Sequence, residues 1–420
     1  MIKHYFMQAL ATLRENPLVS FFTILGTALA VAMMMALALV CQVKTAAFPP
    51  VSERGRMLYV YMIEGMNEQR AGYRGDGIST RLVNECFYAM ETPEAVTAVS
   101  ASPARRQVSA AGSRRVRECD VRETDAAFWR VFDFRFLHGR PYTDGEFASA
   151  VQVAVVSERV AREFFGTTDV TGLTIRADYA DYRIVGVAAP VSEVVGEAYG
   201  ELWIPWSLNA DIMGGDFTEG IGGQLQVTIL ARKGDNLEPI REEARRRLAA
   251  FNAGQKEFKA NIWKQPVGSL RRMFYREQDG RMQGVFSGML SLAALFLFLP
   301  VFNLSGILYS QIQKRRPEFG LRKAFGATTG NVMGQIVAEN FIVTFAGGLI
   351  GLCLSVLFFY VAKDSLLQRT DVSLQLSMVV KPSLFAAALL ACLAINLLSA
   401  GLPAWRTSRA NAAESLSNNL

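Results

Sequence analysis

The chain has 420 residues, 51% of them hydrophobic and 20% charged, with a formal net charge of +6. That is too apolar for an ordinary soluble domain, where about a quarter of residues are charged, and too charged for a chain that lies in a membrane throughout. Its two histidines, His4 and His138, supply no His cluster for a metal, and neither a GxSxG elbow nor a readable pair of carboxylates points to catalysis.

Met1 to Glu15 sets Ile2, Tyr5, Phe6, Ala9, Leu10 and Leu13 at helical spacing between Lys3 and Arg14. This predicts an amphipathic helix (1–17) in the inner membrane interface, broken by Asn16-Pro17. Leu18 to Val40 carries no charge and exceeds the ~20 residues that span a hydrocarbon core. A cleaved signal peptide is the alternative, but a signal h-region is only about 7–15 residues, so a retained span (18–40) is expected.

The segment 41–284 holds equal numbers of basic and acidic residues. Met57–Glu64 reads as a strand, Ser79–Glu91 as a helix and Ala95–Ala101 as a strand. The same order returns in Gln224–Ala231, Leu237–Phe251 and Phe258–Gln265. Two βαβ units suggest one subdomain (50–104 and 217–265) split by an insert (105–216). The insert is rich in strand patterns and Gly turns, with one clear helix at Ser157–Phe165 capped by Ser157. Polar, Arg-rich residues 266–284 form a stalk into the next span.

Val285–Ser310, Phe341–Ala362 and Leu384–Trp405 are three further uncharged stretches of spanning length. The third helix begins at 336, and a short loop, 363–383, precedes the fourth. Lys3, Arg14, Lys314, Arg315, Arg316, Arg322, Lys323, Arg406 and Arg409 flank the spans on one side against only Glu15, Glu318 and Glu414. By the positive-inside rule that side is cytoplasmic, both termini are inside, and 41–284 is outside. The positive charge is a membrane-flank effect, so the chain has no electrostatic footprint for nucleic acid.

Within Gln311–Gln335, Glu318, Leu321, Arg322 and Phe325 fall on one helical face, with Pro317 before them and Gly326 after. A topogenic basic loop explains the charge alone. Asn303, Glu339, Asn340 and Asn396 are polar residues within or beside the spans, read as interhelical hydrogen-bonding groups rather than a proton relay. Gly347 and Gly351 give the small-xxx-small spacing of a close helix contact, within the chain or across a dimer. Cys41, Cys353 and Cys392 lie in or at spans. Cys86 and Cys119 lie in the oxidising outer segment, where two buried free thiols are preferred over a disulfide.

Val155–Gly166 (VVSERVAREFFG), with His138–Phe147, Ile175–Val187 and Leu202–Ser207 around it, resembles the periplasmic core of MacB-type ABC permeases. Glu318–Thr328 (EFGLRKAFGAT) and Pro403–Leu416 (PAWRTSRANAAESL) resemble the FtsX-like permease domain. The resemblance runs through essentially the whole chain. It implies four transmembrane helices and a periplasmic α/β domain with porter-like and sabre-like parts, in a type VII ABC transporter that transmits motion across the bacterial inner membrane. It also implies that Glu318, Phe319, Leu321, Arg322, Lys323 and Phe325 dock an ATPase.

MacB itself carries its ATPase ahead of the first span, where this chain has 17 residues, and no GxxxxGK[ST] phosphate loop occurs in it. The expected partners are therefore a separate cytoplasmic ATPase that binds ATP and Mg, a second permease chain, membrane lipid and, for an efflux role, a periplasmic adaptor and outer-membrane channel. No cofactor is expected on this chain. Efflux, lipoprotein extraction and control of a cell-wall hydrolase are the candidate outputs. A membrane-anchored sensor would need a cytoplasmic output module, and a scaffold would not need the amphipathic cytoplasmic face.

Overall fold

The computed structural model describes residues 17–45, 49–69, 72–193, 195–215, 219–269 and 329–366, with single positions at 47, 272 and 291 and several within 382–394. Residues 1–16 of the amphipathic leader, the span 285–310 apart from position 291 and including Asn303, the coupling residues and the tail lie outside the described residues. The chain divides into two compact units, Lys44–Arg276 with Leu367–Ser373, and Met1–Val43 with Glu277–Leu366 and Leu374–Leu420.

In chain order the elements are helix α1 (Pro17–Thr45), strands β1 (Met57–Val60), β2 (Ile63–Met66) and β3 (Gly72–Gly75), and a helical turn α2 (Thr80–Leu82) that runs into a π-helical segment, Val83–Tyr88. Next come β4 (Ala95–Ser100), β5 (Ala104–Ala110), β6 (Val116–Thr124), α3 (Phe128–Val131), β7 (Phe136–Gly139), α4 (Asp144–Ala148), β8 (Val153–Ser157) and α5 (Glu158–Phe165). After these follow β9 (Thr174–Ala177), β10 (Ala180–Ala188), β11 (Leu202–Pro205), α6 (Ala210–Gly214), β12 (Leu225–Leu230), α7 (Glu238–Ala253), β13 (Lys259–Asn261), β14 (Val267–Gly268) and α8 (Thr329–Leu366).

In the outer unit, β4, β12, β1 and β14 lie side by side, every neighbour antiparallel. Each βαβ unit encloses a strand of the other, because β12 lies between β1 and β4 while β1 lies between β12 and β14. This is the split βαβ arrangement of a ferredoxin-like sheet. One sheet face packs Leu58, Val60, Ala98, Val227 and Ile229 against Leu82, Phe87, Ile240 and Leu248 of the helices. The other face, Met57, Tyr59, Tyr61, Val99 and Leu230, is buried by the insert. Burial on both faces explains why β1 and β12 read as continuous apolar runs instead of alternating ones.

Two expected strands are corrected. Met57–Glu64 breaks after Val60, and β2 leaves for a small sheet in the order β13, β2, β3. Phe258–Gln265 supplies only β13 to that sheet, and the strand that closes the second βαβ unit is β14. Gln265 causes both changes. Its Oε1 accepts from the N–H groups of Tyr61 (2.9 Å) and Met62 (3.3 Å), and its Nε2 donates to the carbonyls of Met62 (2.7 Å) and Ile262 (3.1 Å). A side-chain amide thereby replaces strand pairing where the chain changes sheets.

The insert closes into a ring of strands, with β5, β6, β11, β8, β10 and β9 paired in succession and β9 returning to β5. Closure leaves no free edge among these six strands. Val108, Val121, Val156, Ile175, Ile184 and Leu202 fill a core with Val160 and Ala161 of α5. As expected, Ser157 caps that helix, its Oγ accepting from the N–H of Val160 at 3.3 Å, and Gly166 ends it at φ 75°. Phe128, Trp129, Phe134 and Trp203 pack ring on ring between insert and sheet.

Candidate functional site

In the membrane unit, Phe341–Phe358 of α8 is long and apolar enough to cross a membrane, and α1 holds a shorter apolar stretch at Ser20–Ala36. One face of α8 exposes Phe345, Leu349, Leu357 and Tyr360. The opposite face buries Thr344, Gly347, Gly348, Gly351 and Ser355. A Cβ on Gly347 would lie 2.8 Å from Thr27 Cβ and 3.0 Å from the Ile24 carbonyl. One on Gly351 would lie 2.6 Å from the Ala28 carbonyl and 2.8 Å from Val31 Cβ. The two glycines therefore sit where α8 crosses α1 of the same chain, and Gly348 faces Leu389. Asn303 and the coupling residues Glu318, Phe319, Leu321, Arg322, Lys323 and Phe325 are not among the described residues.

The two ends of the outer unit are built into one core. At the incoming end Val51 is fully buried, the Pro50 carbonyl accepts from the N–H of Asp133 (3.0 Å), and the Ser52 N–H donates to Asp133 Oδ1 (3.2 Å). At the outgoing end Val267 joins the same cluster as Val51, Tyr59 and Tyr61, and Arg241 Nε donates to the Pro266 carbonyl at 3.1 Å. Five residues on, Arg272 is 4% exposed and lies over the rings of Tyr59 (4.5 Å) and Tyr61 (5.5 Å). It donates to Gln226 Oε1 at 3.3 Å and pairs with Glu197. Residues 266–284 read in sequence as a polar stalk, so burial of Arg272 is a feature sequence reasoning missed. No periodicity or motif marks it; its neighbours come from β1, β12 and the loop before β11.

The buried carboxylates of this unit are engaged in structure. Asp125 accepts from Thr97 Oγ1 (2.6 Å), from the N–H groups of Ala98 and Phe128 (both 2.8 Å) and from the Tyr88 hydroxyl. Complete burial still pushes its carboxyl above the usual range, against those four bonds. Glu123 accepts from Asn209 Nδ2 at 2.9 and 3.0 Å and from Arg106. Cys86 and Cys119 are free, in separate core clusters, and burial pushes each thiol up to about 12. The disulfide alternative is thus excluded, and the thiols are inert at neutral pH. Among the described residues no group of three or more His, Cys, Asp or Glu could hold a metal ion.

A sequence profile of the MacB-like periplasmic core domain matches residues 20–247, and one of the FtsX-like permease C-terminal domain matches residues 290–412. The ABC transporter permease YknZ of Bacillus subtilis is 21% identical over 239 residues, covering 55% of this chain and 56% of that protein. The macrolide export ATP-binding/permease protein MacB of Sodalis glossinidius is 25% identical over 314 residues, 71% of this chain and 43% of the relative. The pyoverdine export ATP-binding/permease protein PvdT of Pseudomonas savastanoi is 24% identical over 236 residues, 55% of this chain and 34% of the relative. The chain thus spans about half the length of the first of these relatives and less of the others. The crystal structure of the periplasmic region of MacB from Actinobacillus actinomycetemcomitans covers 53% of this chain and 93% of its own, with 14% identity and a TM-score of 0.37.

Proposed function

The chain belongs to the MacB-like periplasmic core domain family, with an FtsX-like permease domain behind it, and from that premise we propose that it is a transmembrane subunit that turns ATP hydrolysis by a separate cytoplasmic ATPase into motion of its outer unit. A second permease chain completes the complex, because four helices are too few to line a transport path alone. Glu318, Phe319, Leu321, Arg322, Lys323 and Phe325 are the proposed ATPase contact, on the strength of their amphipathic spacing and the EFGLRKAFGAT motif. Asn303 is proposed as a helix-packing group, and Gly347 and Gly351 as the crossing point that holds two spans at a fixed separation.

One observation carries the reading: both chain ends of the outer unit are seated in a single core cluster, Val51 and Val267 together with Tyr59 and Tyr61. Ends seated this way deliver a displacement to the whole unit, whereas ends attached through flexible coil would dissipate it. Because related proteins include macrolide and pyoverdine exporters, efflux is the output proposed, through a periplasmic adaptor and outer-membrane channel. Replacing residues 277–284 with a Gly/Ser run should leave assembly with the ATPase and ATP hydrolysis intact while abolishing export. Deleting Glu318–Phe325 should abolish co-purification of the ATPase and leave membrane insertion unchanged. Export retained with the flexible run would favour a path between the spans over transmitted motion.

A further inference from the structure

We propose that Arg272 and Glu197 form a latch that fastens the outgoing membrane link to the inserted barrel, so that movement of the link reaches the barrel directly and not only through the ferredoxin-like sheet. The proposal rests on the transmitted-motion reading and names the contact through which it would act. Arg272 lies in the segment that leaves the outer unit, yet its guanidinium touches all the parts that must move together. Tyr59 lies on β1, Tyr61 just beyond it and Gln226 on β12, all of the sheet. Glu197 lies on the connection between β10 and β11, two strands of the barrel, and its side chain is 14% exposed against 5% for Arg272.

The connection that bears Glu197 is itself pinned. Arg122 of β6, 1% exposed, donates to the carbonyls of Ser100 (2.7 Å), Tyr199 (2.9 Å) and Gly196. Trp203 Nε1 donates to the Ala198 carbonyl at 3.0 Å, and Val195 and Ala198 are fully buried. A pull on Glu197 therefore cannot be absorbed by the loop and passes to β6 and β11. A flat, permanently charged guanidinium suits this role, since it stacks on two rings and pairs with a carboxylate at once. A buried ion pair contributes little stability over apolar residues of the same volume, but it fixes which surfaces meet. The latch reading takes that specificity as the reason for the pair.

The test uses the full chain in lipid nanodiscs, in a cysteine-depleted background, with spin-label distances measured by pulsed EPR. Labels at Tyr179→Cys, on the exposed barrel hairpin, and Arg276→Cys, at the end of the outer unit, report whether the link follows the barrel. Labels at Tyr179→Cys and Ala249→Cys, the latter on the exposed side of the α7 helix that packs on the ferredoxin-like sheet, report barrel against sheet. The unsubstituted chain should give a narrow distribution for both pairs. Glu197→Gln and Arg272→Gln should each lose the narrow link-to-barrel distribution and keep the barrel-to-sheet one, the double variant should be no broader than either single, and the swap Glu197→Arg with Arg272→Glu should restore it in part. A broad link distribution in the unsubstituted chain, no broadening in the variants, or broadening of both pairs would each overturn the latch; the last would make the pair merely structural. Should Arg272→Gln fail to fold, Glu197→Gln carries the test, since it removes the charge and keeps the size. These distances need no ATPase, so the latch can fail while transmission by the 277–284 segment stands, and the reverse.

Discussion

Glu243 lies in the charged run REEARRR of α7. In the fold its carboxylate is buried and accepts from the N–H groups of Glu91 and Thr92 and from Arg247 Nε, each at 3.0 Å. Burial alone would raise its pKa, and these bonds more than offset it, holding the group at about 2 against an ordinary 4.5. An acid whose folded pKa is depressed stabilises the fold above its unfolded value and loses that contribution as pH falls through the folded one. The unfolding midpoint of the chain should therefore decline from about pH 4.5 toward 2, and Glu243→Gln should make that decline shallower and lower the midpoint at neutral pH. The slope will be reduced and not abolished, because Arg140 holds Glu146 at about 2 as well. Thermal melts across this pH range check it; an unchanged slope in Glu243→Gln would mean that the carboxylate is not engaged.

Among the elements, α8 tests what a glycine does in a span. Gly351 meets the Ala28 carbonyl and Val31 where α8 crosses α1, while an added Cβ at Gly334 of the same helix meets nothing within 4 Å. Gly351→Val should cost about 1–3 kcal/mol by overpacking, whereas Gly334→Ala should be tolerated. Melting of the two variants in lipid nanodiscs separates a contact requirement from a general need for glycine; equal effects would remove the crossing. The small-xxx-small spacing was readable from sequence, but its partner was not. Spacing says that a backbone can come close and leaves open which one, and α1 is separated from α8 by the whole outer unit in sequence. The break of the expected strand at Tyr61 was hidden for a related reason, since the amide that causes it, on Gln265, lies far along the chain.

For the whole molecule, the orientation argued from Lys and Arg flanks predicts that a membrane-impermeant maleimide labels Tyr179→Cys in intact cells and spares Thr329→Cys and Asn418→Cys. Labelling at Thr329 would overturn the orientation. Cys86 and Cys119 should stay silent until the chain is unfolded, because both thiols are buried and held protonated. Apolar runs, flank charge and the order of strands and helices are local properties, legible residue by residue, and they carried the expectation of membrane segments and of a split outer unit, while the family was legible in short motifs such as VVSERVAREFFG and EFGLRKAFGAT. The chain alone could not determine that the insert closes into a ring of strands, that it covers the second face of the ferredoxin-like sheet, or that Arg272 is buried against Glu197. Each of these depends on pairings between segments tens to hundreds of residues apart, which leave no periodic trace in either partner and are decided only when packing brings both to one place.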